Sequence, residues 1–231
     1  MYREDVDIVA TNGLLRKSFL NMFIGLLVTI SVPAFILATN NDKMLQMIQT
    51  AYLPLLIAEL VVVIYLSARL EKLSIGTCKI LFFGYALLNG FVFSLFTMIF
   101  PIGILLYALA ITSTLFLVMA LYGYTTHEDL SKYGNILKGA LITMIILSLL
   151  NMFLGVPALY WMISVFGVVL FSVLIAYDVN RIKKLALSIS EDEDENGDTM
   201  EKYGIMGALM LYLDFINLFV YVLRIVGGKR D

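Results

Sequence analysis

The chain has 231 residues, 61% hydrophobic and 15% charged, with a net charge of −2 and a mean hydropathy of +0.91. A soluble domain carries about 25% charged residues, so the composition excludes an ordinary soluble fold and puts the chain in a membrane. The pI of about 5.4 argues against nucleic acid as a partner, and a single cysteine, Cys78, excludes an internal disulfide framework.

Residues 1–18 are polar and mixed in charge, and are expected to form a cytosolic amino-terminal segment. A cleavable signal peptide is not expected, because the first apolar run already has spanning length. Seven apolar runs follow: Phe19–Leu37, Ala51–Leu66, Ile80–Phe100, Ile102–Tyr122, Gly139–Phe153, Ala158–Tyr177 and Ile205–Val226. A spanning helix needs about 17–25 residues, so the second and fifth runs must extend into their flanks. Pro101 and Gly103 mark a turn between spans three and four, and Gly155 and Pro157 mark one between five and six. Residues 186–204 read as an acidic cytosolic loop around Glu191–Glu195. The expected fold is all-α, a single seven-helix transmembrane domain over residues 1–231.

Lysine and arginine set the expected orientation. Arg3, Arg16, Lys17, Arg69, Lys72, Lys79, Lys132, Lys138, Arg181, Lys183, Lys184 and Lys202 fall on one side, and only Lys43, Arg224, Lys229 and Arg230 on the other. With seven spans the amino terminus is expected in the cytosol and the carboxyl terminus outside. Tyr160 and Trp161 suit an outer aromatic belt.

Two acids lie well inside the runs, Glu59 near the middle of span two and Asp214 in span seven, while Asp178 closes span six. Ionisable groups in hydrocarbon are costly and mark function by default. Asp214, Asn217, Tyr221 and Arg224 recur at helical steps and form a polar stripe, opposite an apolar face of Leu211, Phe215, Leu218, Phe219 and Val222. One reading is an acid-lined polar path with Arg69 as counter-charge; the other is that the acids bond to neighbouring helices and only hold the bundle together. For Arg69, a plain positive-inside residue is an equal reading. Along the runs the two aspartates differ in depth. Asp178 lies seventeen residues past Trp161, about 25 Å along its helix, and Asp214 nine past Ile205, about 14 Å. Helix tilt, or a first turn of span seven standing in the cytosol, closes that gap.

Leu211–Phe219, with Asp214 and Asn217 inside it, resembles the last-helix signature of the transmembrane Bax inhibitor motif family, and Ala176–Ile182, with Asp178, resembles its sixth-helix signature. Pro54–Glu59 is similar to its second helix, and Asn89-Gly90 to a small-residue site in its third. The resemblance spans the chain in helix number and order, and the bacterial members match best in length. It implies seven helices with the last wrapped by the other six, and a pH-sensitive calcium leak across the membrane. It implies that Asp178 and Asp214 form a proton-sensing pair joined by an arginine, for which Arg69 is the candidate, and that Glu59 lines the ion path; Asn217, on the polar stripe of span seven, is expected to line it too. Calcium is then the transported ion, held in passing by Asp178 and Asp214, and no cofactor is expected. The plasma membrane of a bacterium is the expected location.

A competing reading is a regulatory protein that partners a membrane protease or a stress or cell-death pathway, as some relatives do. An enzyme is not expected. The acid pair lacks the Gly-x-Gly-Asp setting of an intramembrane aspartyl protease, and Gly-x-Ser-x-Gly and His-Glu-x-x-His are absent. Span seven has no lysine for a retinal Schiff base. Asp192–Gly197 resembles half a calcium-binding loop, but position twelve is Tyr203 where a glutamate is needed. His127, the only histidine, lacks partners for zinc. Gly25, Gly84, Gly90 and Ser94 are read as close-packing positions.

Overall fold

The computed structural model describes residues 2–69, 72–191 and 198–228. Its helices are α1 (Tyr2–Thr39), α2 (Asp42–Thr50), α3 (Tyr52–Arg69), α4 (Ile75–Ser94), α5 (Phe96–Ile99), α6 (Ile102–Thr125), α7 (Gly134–Leu154), α8 (Pro157–Glu191) and α9 (Asp198–Gly227), with a 3₁₀ turn at Leu130–Tyr133 before α7. Among the described residues there is no strand. The protein is all-α, and among the described residues six stretches are long and apolar enough to cross a membrane, or seven if a bent pair counts as one.

That pair is α2 and α3, which meet at 68° where a single second span is expected. Asn40 takes a left-handed backbone (φ 46°) and Asn41 caps α2, its side chain accepting from the Met44 N–H at 3.1 Å. The polar stretch before Ala51 is therefore helix rather than loop, seated by Ile48 against Val32 and Ile36.

Three other elements outrun their apolar stretches. Residues 2–18 continue α1 as helix; α8 runs on to Glu191 and α9 starts at Asp198, so helix takes up most of the loop expected over 186–204. An apolar run marks only the part of a helix suited to hydrocarbon, and nothing between Tyr177 and Glu191 breaks the backbone pattern. The acidic stretch Asp192–Gly197, with its calcium-loop resemblance, lies outside the described residues. The turns at Pro101 and Gly155–Pro157 stand where the sequence puts them. Gly155 caps α7 in the left-handed region (φ 62°) and Pro157 opens α8, each residue type at the end that favours it.

By its contacts the chain divides into two compact units, residues 1–101 with 186–212 and residues 102–185 with 213–231. In the first, α1 and α3 pack on α4. Thr29 is its polar hub: the hydroxyl donates to one neighbour among the Ala86 carbonyl (2.9 Å), the Gly25 carbonyl (3.0 Å) and the Tyr212 hydroxyl (2.7 Å), and lies within bonding distance of all three. Glu201 takes Lys17 and Lys79 at 2.9 and 2.6 Å. Gly25 and Gly90 lie against neighbouring helices, whereas Gly84 has nothing within 4 Å of a would-be Cβ.

In the second unit, α6, α8 and the end of α9 pack through aromatic pairs, Phe116 with Phe215 (5.5 Å) and Phe171 stacked on Tyr221 (5.8 Å). At Gly123 the α6 backbone touches α8, and a Cβ there would lie 2.3 Å from the Ala176 carbonyl oxygen. Of the candidate spans the one on α9 is the most buried, 61% of its apolar window against 39% or less for the others. Leu211, Phe215, Leu218, Phe219 and Val222 are all buried, as are Asp214 and Tyr221. Both faces of this stretch are therefore enclosed.

Backbone cannot yield as a flexible side chain can. Gly123→Ala should cost about 1–3 kcal/mol and lower the thermal midpoint in detergent. Gly139→Ala, with open space at its Cβ, should be neutral or slightly stabilising. Equal midpoints for the two would contradict the close α6–α8 contact.

Candidate functional site

The second unit brings Asp178 of α8 and Asp214 of α9 together, and their carboxyl groups lie within hydrogen-bonding reach of each other. The helix extensions explain how. Asp178 lies thirteen residues before Glu191 and Asp214 sixteen after Asp198, so the two come level. The depth difference read from the sequence came from starting α9 at Ile205, seven residues late.

The chemistry of the contact is narrow. A carboxylate only accepts hydrogen bonds, so a bond between two carboxyl groups needs one proton held between them. Asp214 is 5% exposed, and its Oδ2 is buried without a partner among the described residues. Asp178 is half-buried. The groups around them hold the site in shape. Asn180, buried two residues on, donates from Nδ2 to the Gly123 carbonyl at 3.4 Å, which ties α8 to α6. Phe116 packs on Phe215 beside Asp214.

The cation that acts on Asp178 is Arg181, one turn further along α8 and exposed. Its spacing of three is an ordinary helical pairing, and the signal is visible in the sequence, where Arg181 reads only as an orientation charge. Arg69 belongs to the first unit and is exposed at the end of α3.

Asn217 stands one turn past Asp214 and donates from Nδ2 to the Leu213 carbonyl at 2.8 Å, which leaves its Oδ1 as an acceptor. Glu59, in the first unit, is half-buried and its Oε1 has no partner among the described residues. Tyr85 and Tyr212 lie within electrostatic reach of it. The Tyr212 hydroxyl meets Thr29, and Asn89 donates to the Tyr85 carbonyl at 3.1 Å. This Thr29–Tyr85–Tyr212 group was not legible in the sequence, since single polar residues on separate apolar helices carry no spacing signal. Among the described residues no group of three or more histidine, cysteine or acidic side chains is placed to hold a metal. His127 is exposed.

Outside the apolar stretches, Lys184 hydrogen-bonds to Asp129, and that contact with the Ser131 amide holds the Asp129 carboxyl down to about 2. Lys183 donates to the Tyr124 carbonyl at 3.0 Å. Together the two lysines fasten α8 to the end of α6 and the turn that follows it.

A family model described as "Inhibitor of apoptosis-promoting Bax1" matches residues 11–231. The chain is 39% identical over 212 residues to the inner membrane protein YbhL of Escherichia coli K12, covering 90% of this chain and 88% of the relative. It is 36% identical over 233 residues to a protein of Borreliella burgdorferi described only as uncharacterized, covering 99% and 97%. A Deinococcus radiodurans protein with the same description is 36% identical over 217 residues, covering 94% and 90%.

Two outcomes follow from the geometry. Asp178→Asn keeps a donor toward Asp214, while Asp178→Leu leaves that buried acid without its partner. Unfolding in detergent should show the leucine variant less stable than the asparagine variant by about 1–3 kcal/mol; equal stabilities would mean that the contact carries no energy. The Asp129–Lys184 tie behaves differently with pH. Its carboxyl sits below its ordinary 3.8, so its contribution is complete above that value and is lost as pH falls toward 2. Wild type and Asp129→Asn should differ by a constant amount between about pH 5 and 8, and a difference that varied there would contradict the assignment.

Proposed function

The chain belongs to the Bax inhibitor-1 family, and from that premise we propose that it is a proton-controlled calcium leak in a bacterial inner membrane, with Asp178 and Asp214 as its latch. The observation that carries this reading is the contact of two carboxyl groups across α8 and α9. The location follows from the Escherichia coli relative, which is named an inner membrane protein.

The latch follows from magnitudes. With one proton between them the carboxyls tie α8 to α9 by a charge-assisted hydrogen bond, worth about 1.5–3 kcal/mol. Without the proton, two unit charges about 4 Å apart repel by about 4 kcal/mol at an effective dielectric near 20. The repulsion exceeds the bond, so losing the proton turns a tie into a push on both helices. Arg181, one helical turn from Asp178, places a positive charge beside the pair. Arg69, the arginine that the family resemblance pairs with these aspartates, belongs to the first unit, and the latch does not depend on it.

Calcium is the cargo. It takes about six to eight oxygen ligands, more than the two aspartates supply, so water completes the shell and the ion is held in passing. Asp214 Oδ2 and Asn217 Oδ1 in the second unit, and separately Glu59 Oε1 in the first, are oxygens of the kind that coordinate calcium; Asp214 Oδ2 and Glu59 Oε1 are buried with no partner among the described residues. A second reading, a regulatory membrane protein acting through a partner, is favoured by the family's description as an inhibitor of an apoptosis-promoting protein.

Calcium flux into liposomes holding the pure chain separates the two. The leak reading expects flux with no partner present and a rate that changes with pH. Asp214→Asn and Asp178→Asn should each flatten the pH response, because an amide donor persists at every pH. Glu59→Gln should lower the rate while keeping the response. No flux from correctly folded protein sinks the leak, and unchanged pH dependence in Asp214→Asn sinks the latch.

A further inference from the structure

We propose that a cleft at the turn between α7 and α8 binds a phosphate group, carried by an anionic lipid headgroup or present as free phosphate. The cleft has a volume of about 580 Å³ and is lined by Ser148, Asn151, Gly155, Tyr160, Ile163 and Arg224 among others, none of them acidic. All of it lies within the second unit. That volume is within the range of small-molecule sites, about 300–1,000 Å³.

The chemistry of the lining is one-sided. Asn151 is buried and its acceptors are spent on the turn: Oδ1 takes the Val156 N–H at 3.1 Å and its carbonyl takes the Gly155 N–H at 2.8 Å. What remains of its side chain is the Nδ2 donor. Ser148, one turn earlier on α7, has a buried hydroxyl with no partner among the described residues. An unsatisfied hydroxyl in an apolar helix is costly, and its position on the cleft wall gives it a use. Arg224 reaches the same cleft from α9. Its guanidinium lies over the Tyr160 ring at 5.3 Å and the Tyr221 ring at 5.0 Å. Stacking uses the faces of the guanidinium and leaves its N–H edge for a bidentate anion. No ion pair among the described residues involves Arg224. The α8 N-terminus opens at the same turn, and its dipole adds to the attraction for negative charge.

The depth selects phosphate. Here α7 ends, α8 begins and the apolar part of α9 gives out, with Tyr160 and Trp161 exposed beside the cleft as aromatic residues are at headgroup level. An arginine, an amide and a hydroxyl there match the oxygens of a phosphate.

The test uses the full chain in a neutral detergent and reads the thermal midpoint against added short-chain phosphatidylglycerol, phosphatidylcholine or inorganic phosphate. A ligand that binds only the folded state raises the midpoint saturably. Phosphatidylglycerol should do so, and phosphatidylcholine, whose choline covers the phosphate charge, should do so far less. A rise with phosphatidylglycerol alone assigns the site to a headgroup; a rise with inorganic phosphate as well assigns it to the phosphate anion itself. Arg224→Gln should weaken the response at least about tenfold, the effect of losing a charged hydrogen bond. Arg224→Lys should keep part of it, and Ser148→Ala should weaken it several-fold. Should Arg224→Gln not fold, the lysine and alanine variants decide. The proposal is overturned if neither phosphatidylglycerol nor phosphate moves the midpoint, or if the folded variants respond as wild type does.

Discussion

A hydrogen bond between two carboxyl groups cannot form without a proton, and in the second unit of this protein the carboxyl groups of Asp178 and Asp214 lie within reach of one another. Asp178 and Asp214 meet where Asp214 is enclosed by its own helix and its neighbours. Under the proposed latch, a proton held there ties α8 to α9, and its loss sets two like charges against each other. Other contacts hold the same helices close. Gly123 brings α6 against α8, Asn180 bonds across the same seam, and Lys183 and Lys184 fasten the far end of α8.

The same economy of polar groups holds in the first unit. Thr29 and Tyr212 satisfy each other inside an apolar setting, with Phe82 and Tyr85 edge-on to the Tyr212 ring at 5.7 and 5.9 Å. Glu59 is the exception, with a buried oxygen that has no partner among the described residues. Polar atoms left unmatched in hydrocarbon are candidates for passing ligands. Glu59, Asp214 and Ser148 share that character, and each enters a different part of the functional account.

Much of this was legible in the sequence, and the failures have physical causes. Run length and turn residues located the spans because hydrocarbon selects apolar side chains and because Gly155 and Pro157 suit only helix ends. Run length misplaced the helix ends, since α1, α8 and α9 carry on as helix into polar sequence that no apolar count registers. That error alone put Asp178 and Asp214 at different depths. The bend between α2 and α3 was hidden because it falls at Ala51, a residue type that favours helix and marks no turn. The acids were found from their cost in a membrane, but not Arg181, whose charge reads as orientation until Asp178 is seen one turn away. Composition gave no sign that the apolar face of α9 is buried, because a lipid-facing side and a protein-facing side of a membrane helix have the same composition; only the family resemblance implied it.

The proton that the proposed latch requires is open to direct observation. Infrared difference spectra of the pure protein, recorded from acidic to mildly alkaline pH, report protonated carboxyl groups through their C=O stretch. The account predicts a hydrogen-bonded carboxyl band that titrates in the wild type and is lost in both Asp178→Asn and Asp214→Asn. A band that survives in both variants, or none at any pH in the wild type, would contradict it.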